Sequence, residues 1–199
     1  MKISKTLTGK IHIGTSGWHY NHWVGPFYPA NLTQNNYFRF YAEHFHSVEI
    51  NNSFYRLPDK KTIIHWRDTS PGGFIFTIKA SRYITHMKKL RQPDDSLKSL
   101  LERVSLLNEK LGAILFQLPP RWRLNLERFE DFLNMLPGDY RYAFEFRDPS
   151  WFESSVYKAL AQCGAAFCIY DFKGYRSVKE VTADFIYFRF HGPSALPTW

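Results

Sequence analysis

Seven residues of this chain that could move protons or pair with ions share one placement. Glu49, Lys79, Glu145, Arg147, Asp171, Arg189 and His191 each fall at or near the C-terminal end of a short apolar run. Glu49, Glu145, Asp171 and His191 are of the types that act as general acids and bases or ligate a divalent metal. Lys79, Arg147 and Arg189 are of the types that clamp a carboxylate or a phosphate, arginine often in bidentate fashion. The same residues also have a plainer reading. A buried carboxylate without a partner is costly, so these charges could simply neutralise one another. Sequence alone leaves both readings open.

The runs that position them are VEIN (48–51), FIFTIK (74–79), ILFQ (114–117), AFEFR (143–147), FCIYD (167–171) and IYFRFH (186–191). Residues two apart in a strand face the same way. Glu49 therefore shares a face with Asn51, Thr77 with Lys79, Glu145 with Arg147, and Tyr187 with Arg189 and His191. The residues between them, such as Val48, Ile50, Ile78, Phe144, Phe146, Phe188 and Phe190, call for a dry layer of helices. Apolar strands whose polar groups gather at their C-terminal ends describe a parallel sheet with helices outside. Its functional rim lies at the C-terminal edge, as in a (β/α) barrel.

Loops after the strands supply the remaining candidates. His86 follows the third strand in ITH, and Gln117 ends the fourth. Trp18, Tyr20 and Trp23, in the aromatic loop GWHYNHW, with Phe54 and Tyr55, in NNSFYRLP, are expected to form a stacking wall for a sugar or nucleobase, unless GWHYNHW merely plugs the mouth. Base stacking on such rings is worth ~1–3 kcal/mol per base. Asn51, Lys79, His86, Gln117, Arg147 and Arg189 join Trp18 and Tyr55 as the expected ligand-binding set. No phosphate-binding loop, dinucleotide fingerprint or nucleophile elbow occurs. Gly14-Thr15-Ser16-Gly17 imitates an elbow, but its second glycine comes one residue too early. Cys163 and Cys168 lack metal-site spacing and point to a reduced, disulfide-free, cytoplasmic protein.

The net charge of +8 reads either as a solvated basic surface or as attraction to an anionic partner, nucleic acid or a phosphorylated small molecule. Lys88, Lys89, Arg91, Arg121 and Arg123 fall in loops after the third and fourth strands, on the same rim. No run approaches the ~20 apolar residues of a membrane span, and MKISKTLTGK lacks the apolar centre of a signal peptide.

Strands are expected at 11–16, 47–51, 74–79, 113–117, 141–147, 165–171 and 184–190. Helices are expected at 34–46, from an Asp59 N-cap to about Ser70, from Asp94 or Asp95 to Lys110, at 125–136 and at 150–163. Seven strands and five helices are one βα unit short of an eightfold barrel, which usually needs about 250 residues. The fold class is thus α/β, a TIM-type barrel that is incomplete, with about seven strands and the last βα unit missing. Residues 1–10 read as an N-terminal extension and 11–199 as a single barrel domain truncated at its C-terminus.

Six segments, in order, resemble the motifs of the YecE-like family. They are GTSGWHYNHWVGPFYP (14–29), SVEINNSFYRLP (47–58), FTIKASRYITH (76–86), GAILFQLPPRW (112–122), FEFRDPSW (144–151) and YFRFHG (187–192). The resemblance runs from about residue 11 to 192. It implies a TIM-barrel fold, a group catalogued as a domain of unknown function, and no established reaction. It also implies a further helix and an eighth strand after the HG motif.

Two functions follow as expectations. One is an enzyme, compatible with a divalent metal, acting at the rim on a phosphate-bearing or nucleic-acid substrate. The other is a non-catalytic module that binds nucleic acid or an anionic small molecule with the same groups.

Overall fold

The computed structural model describes residues 9–172 and 174–192. Residues 1–8 of the expected extension, and the end of the chain after Gly192, lie outside the described residues. In chain order the strands are β1 (Gly14–Thr15), β2 (Ser47–Ile50), β3 (Ile75–Lys79), β4 (Leu111–Gln117), β5 (Arg141–Glu145), β6 (Ala166–Phe172), β7 (Tyr175–Arg176) and β8 (Tyr187–Phe190). The helices are α1 (Tyr37–His44), α2 (Lys60–Thr69), α3 (Asp94–Val104), α4 (Leu126–Asn134) and α5 (Ser154–Gln162).

Strands β1 to β6 pair in sequence order and in parallel, and β8 continues the sheet by pairing in parallel with β6. Alternation divides the core between the two faces. On β4, Ile114 and Phe116 point outward with Phe144, Phe146 and Phe167, where the helices cover them. Ala113 and Leu115 point inward with Ala143, Ala166 and Cys168, joined by Phe185 and Tyr187. The small inner side chains let the sheet curl, and the large outer ones fill the layer beneath the helices. The result is a curled, half-barrel α/β sheet. Among the described residues β1, β7 and β8 each pair with one strand only, and β1 does not pair with β8.

Local signals account for the helix ends. Asp59 caps α2 by accepting from the Thr62 amide at 2.7 Å, and Asn125 caps α4 by accepting from that of Arg128 at 3.0 Å. Gly14 is required where β1 meets β2, since a Cβ there would lie 2.0 Å from the Ser47 carbonyl oxygen.

Four expectations need correction. The first strand is two residues long, leaving Ile11 and Ile13 exposed before it. The third helix stops at Val104 and gives way to a 3-10 stretch, Ser105–Lys110, in which Asn108 adopts φ 51°. The fifth helix begins at Ser154, after a separate turn over Pro149–Trp151. The link after β6 contains β7, which folds back antiparallel on Asp171 and Phe172.

Candidate functional site

The inner phase of β2, β5 and β8 carries Glu49, Glu145, Tyr187 and Arg189 to one point near the C-terminal rim. Arg189 is the hub. Its Nε and Nη2 donate to Glu49 Oε2 and Oε1 at 3.0 and 2.8 Å, and its Nη1 donates to Glu145 Oε2. Glu49 also accepts from the Tyr187 hydroxyl at 2.7 Å and from Ser16 Oγ at 3.2 Å. Glu145, sealed from solvent, accepts from Arg147 Nε as well. Burial alone would raise the Glu145 pKa, but Arg189 and Arg147 outweigh it and hold the carboxyl below its ordinary range. Burial, seconded by Glu49, pushes the Tyr187 phenol well up, so it stays a protonated donor.

Arg147 lies between two rings, its guanidinium 4.6 Å from the Tyr170 and Phe172 centroids, which fixes its plane. Its Nη2 is 3.4 Å from His191 Nε2. The His191 pKa is lowered by burial first and by Arg189 next, so the ring is neutral at neutral pH. Its Nδ1 is buried and has no partner within hydrogen-bond distance among the described residues. Asn51 donates from Nδ2 to the Ser16 carbonyl at 3.2 Å, and its buried Oδ1 likewise has no partner among the described residues.

Lys79 ends β3 on the same inner phase and differs from the other cations. No carboxylate lies within ion-pair distance of its Nζ among the described residues. The amine instead sits 4.4 Å above the Phe54 ring. Burial, followed by Arg189, lowers its pKa to about 8, against the pull of Glu49 and Glu145. Ser53 Oγ bonds the carbonyls of Ile50 and Lys79 at 2.7 and 2.6 Å, locking the ends of β2 and β3 together beneath this amine. His86 meets the same Phe54 ring edge-on at 4.9 Å from a π-helical turn, Tyr83–Met87, a geometry frequent at functional sites. Burial first, then Lys79 and Arg82, lowers its pKa to about 4.

Of the residues expected at the site from sequence, Glu49, Asn51, Lys79, Glu145, Arg147, Arg189 and His191 gather at the inner rim, with His86 reaching it across Phe54. Gln117 is half-buried in register with Glu145. Tyr55 is exposed, and its ring meets Phe54 edge-on at the outer edge of this group.

Two expectations fail. Asp171 is on the outer phase of β6, one residue out of step with Cys168 and Tyr170, and pairs with Arg176 of β7 at 2.9 Å. Trp18 does not wall the mouth. Gly17, at φ +113°, turns the chain so that the indole packs on Phe38 and Trp66 in the helix layer. Sequence reasoning also passed over Tyr187 and Ser16 as site groups, whereas Phe54, expected in the aromatic wall, lies under the Lys79 amine. The alternation phase shared by Tyr187 and Arg189 was the available signal for the first.

The donors for a metal do not assemble. The oxygens of both glutamates are occupied by guanidinium groups, and the described residues contain no group of three or more His, Cys, Asp or Glu able to hold an ion. A surface groove of about 480 Å³, lined by Leu97, Leu101, Met135 and Tyr140 among others, lies on the helix side and holds none of the rim residues.

Comparison with known proteins agrees with this architecture. Residues 12–198 match the family described as Protein of unknown function DUF72. The chain is 32% identical over 170 residues to the UPF0759 protein YecE of Escherichia coli, covering 81% of this chain and 59% of that protein. It is 30% identical over 156 residues to UPF0759 protein YunF of Bacillus subtilis, covering 74% and 54%. The chain thus spans less than three fifths of the length of these curated relatives. A DUF72 family protein from Thermotoga maritima superposes with a TM-score of 0.81 at 28% identity, covering 92% of this chain and 75% of that one. One from Enterococcus faecalis superposes with a TM-score of 0.75 at 20% identity, covering 94% and 72%, a likeness of fold alone. No described helix is long and apolar enough to cross a membrane. With nearly its whole length matched by the family and two relatives at 30% identity or more, the chain belongs to the DUF72, YecE-like family.

Proposed function

We propose that the inner rim binds a small anionic molecule, bearing phosphate or carboxylate, and acts on it as an enzyme of the TIM-barrel type in a reducing, cytoplasmic setting. The observation that carries this reading is the charge balance. Arg189, Arg147 and Lys79 face Glu49 and Glu145, and among the described residues Lys79 is the cation left over. Burying an unpaired ammonium costs free energy that an incoming anion would repay. Among the described residues the buried Asn51 Oδ1 and His191 Nδ1 have no hydrogen-bond partner either. The metal-assisted form of the reading has no support in the ligand set.

A ligand that binds only the folded state raises its stability. Inorganic phosphate is therefore expected to raise the thermal midpoint of the chain beyond what chloride does at equal ionic strength. Lys79→Met should remove the difference. Equal midpoints in the two salts would refute the reading.

A second reading, a nucleic-acid module, draws on the exposed Lys88, Lys89, Arg91, Arg121 and Arg123 around the same rim. Its mark would be oligonucleotide binding that weakens steeply with salt and is unaffected by Lys79→Met.

A further inference from the structure

We propose that Lys79 is a nucleophilic amine that forms an imine with the carbonyl group of an anionic substrate. This rests on the anion-site reading above and names its substrate class: a carbonyl compound carrying a carboxylate or phosphate.

An amine can serve this way when it is held in place, free of a carboxylate, and reachable. Lys79 meets each condition. Its backbone is fixed by the Ser53 hydroxyl and by β3 pairing with both β2 and β4. Its Nζ rests on the Phe54 face rather than on an acid. The residue is buried but not sealed: it is 7% exposed, where the neighbouring Glu145 is at 0%. The lowered pKa leaves an appreciable fraction of free base at neutral pH, where an exposed lysine has almost none. Arg147 is held by its two rings and spends Nε on Glu145 and Nη2 on His191, so among the described residues Nη1 is left for the substrate's anionic group.

The step balances without another reactant. The Lys79 nitrogen lone pair attacks the carbonyl carbon, the π electrons move to oxygen, and a proton passes from nitrogen to that oxygen, giving a carbinolamine. The C–O bond then breaks, the second nitrogen proton leaves with the oxygen as water, and the C=N bond forms.

The test uses pyruvate as the probe. The full chain is incubated with pyruvate and sodium borohydride, which reduces an imine to a stable secondary amine, and the adduct is located by peptide mass mapping. Selective labelling of Lys79, approaching one adduct per chain and suppressed by added inorganic phosphate, is expected. Lys79→Arg, which keeps the charge, should abolish it. Labelling confined to exposed lysines such as Lys88 and Lys89 would overturn the proposal; the mapping is done on the unaltered chain, so a variant that fails to fold does not blunt the test. Acetic anhydride labelling separates the two readings. If phosphate shields Lys79 from acetylation and no pyruvate adduct forms, the anion site stands and the imine falls. If phosphate shields nothing and no adduct forms, both fall.

Discussion

Arg189 is shared by two carboxylates from strands that are distant in sequence, and its removal cannot be absorbed locally. Glu49 and Glu145 are both buried, and each directs oxygens at the same guanidinium. Breaking a buried pair from one side strands the partner and costs about 3–5 kcal/mol. Arg189→Met is therefore expected to lower stability by about that amount in urea unfolding. The pH dependence has a definite sign. The folded Glu145 carboxyl titrates below its ordinary value, so its contribution is present above the ordinary carboxylate range and is lost as pH falls through it. In the variant Glu145 loses the larger of the two guanidinium influences that keep its proton off, so the penalty should be largest near about pH 7 and shrink towards about pH 4. A variant as stable as the parent at both values would mean that Arg189 serves a ligand and not the fold.

At the scale of elements, the same two-residue spacing that placed Glu49 and Glu145 inward was legible because a parallel strand has only two faces. The convergence on Arg189 was not legible, since it depends on how far the sheet curls. Asp171 shows the limit: FCIYD reads like the other runs, but its acid falls on the opposite phase from Cys168, and one residue of phase decides the face. The third helix shows a different limit. Leu97 to Leu107 keep helical periodicity through the break, so pattern alone runs on to Lys110. The tertiary reward lies elsewhere. Lys110 is buried, and its Nζ donates to the Arg67 carbonyl at 2.6 Å, the Ser70 carbonyl at 2.8 Å and Ser70 Oγ at 2.7 Å. It thus closes the C-terminal end of α2, where carbonyls lack partners and a cation is favoured. Hydrogen bonds to a charged group contribute about 1.5–3 kcal/mol. Lys110→Met should cost that much, with amide exchange accelerating in the last turn of α2 before the rim is affected. Unchanged exchange there would show that the ammonium is dispensable as a cap.

For the whole molecule, the open edges set the behaviour in solution. Ile11 and Ile13 lead into β1 at 82% and 68% exposure, while Phe188 and Phe190, stacked at 5.9 Å on β8, are 52% and 76% exposed. Phe188 is in register with Ile169 of β6, which packs on the helix-side core, so both phenylalanines lie on the outer face. Among the described residues no helix covers them. An uncovered apolar face beside an unpaired strand edge is a site of association. The net charge of +8 opposes it, but charges more than a Debye length apart, about 8 Å at physiological ionic strength, are largely screened. Apolar burial is not screened in this way. The two effects therefore separate with salt. The chain should sediment as a monomer at low ionic strength and associate as sodium chloride is added, the reverse of assembly held by ion pairs. Phe188→Ser with Phe190→Ser, outside the Arg189 network, should suppress association without loss of the folded spectrum. A parent chain that stays monomeric across salt and concentration would show that these edges are tolerated in water as they stand.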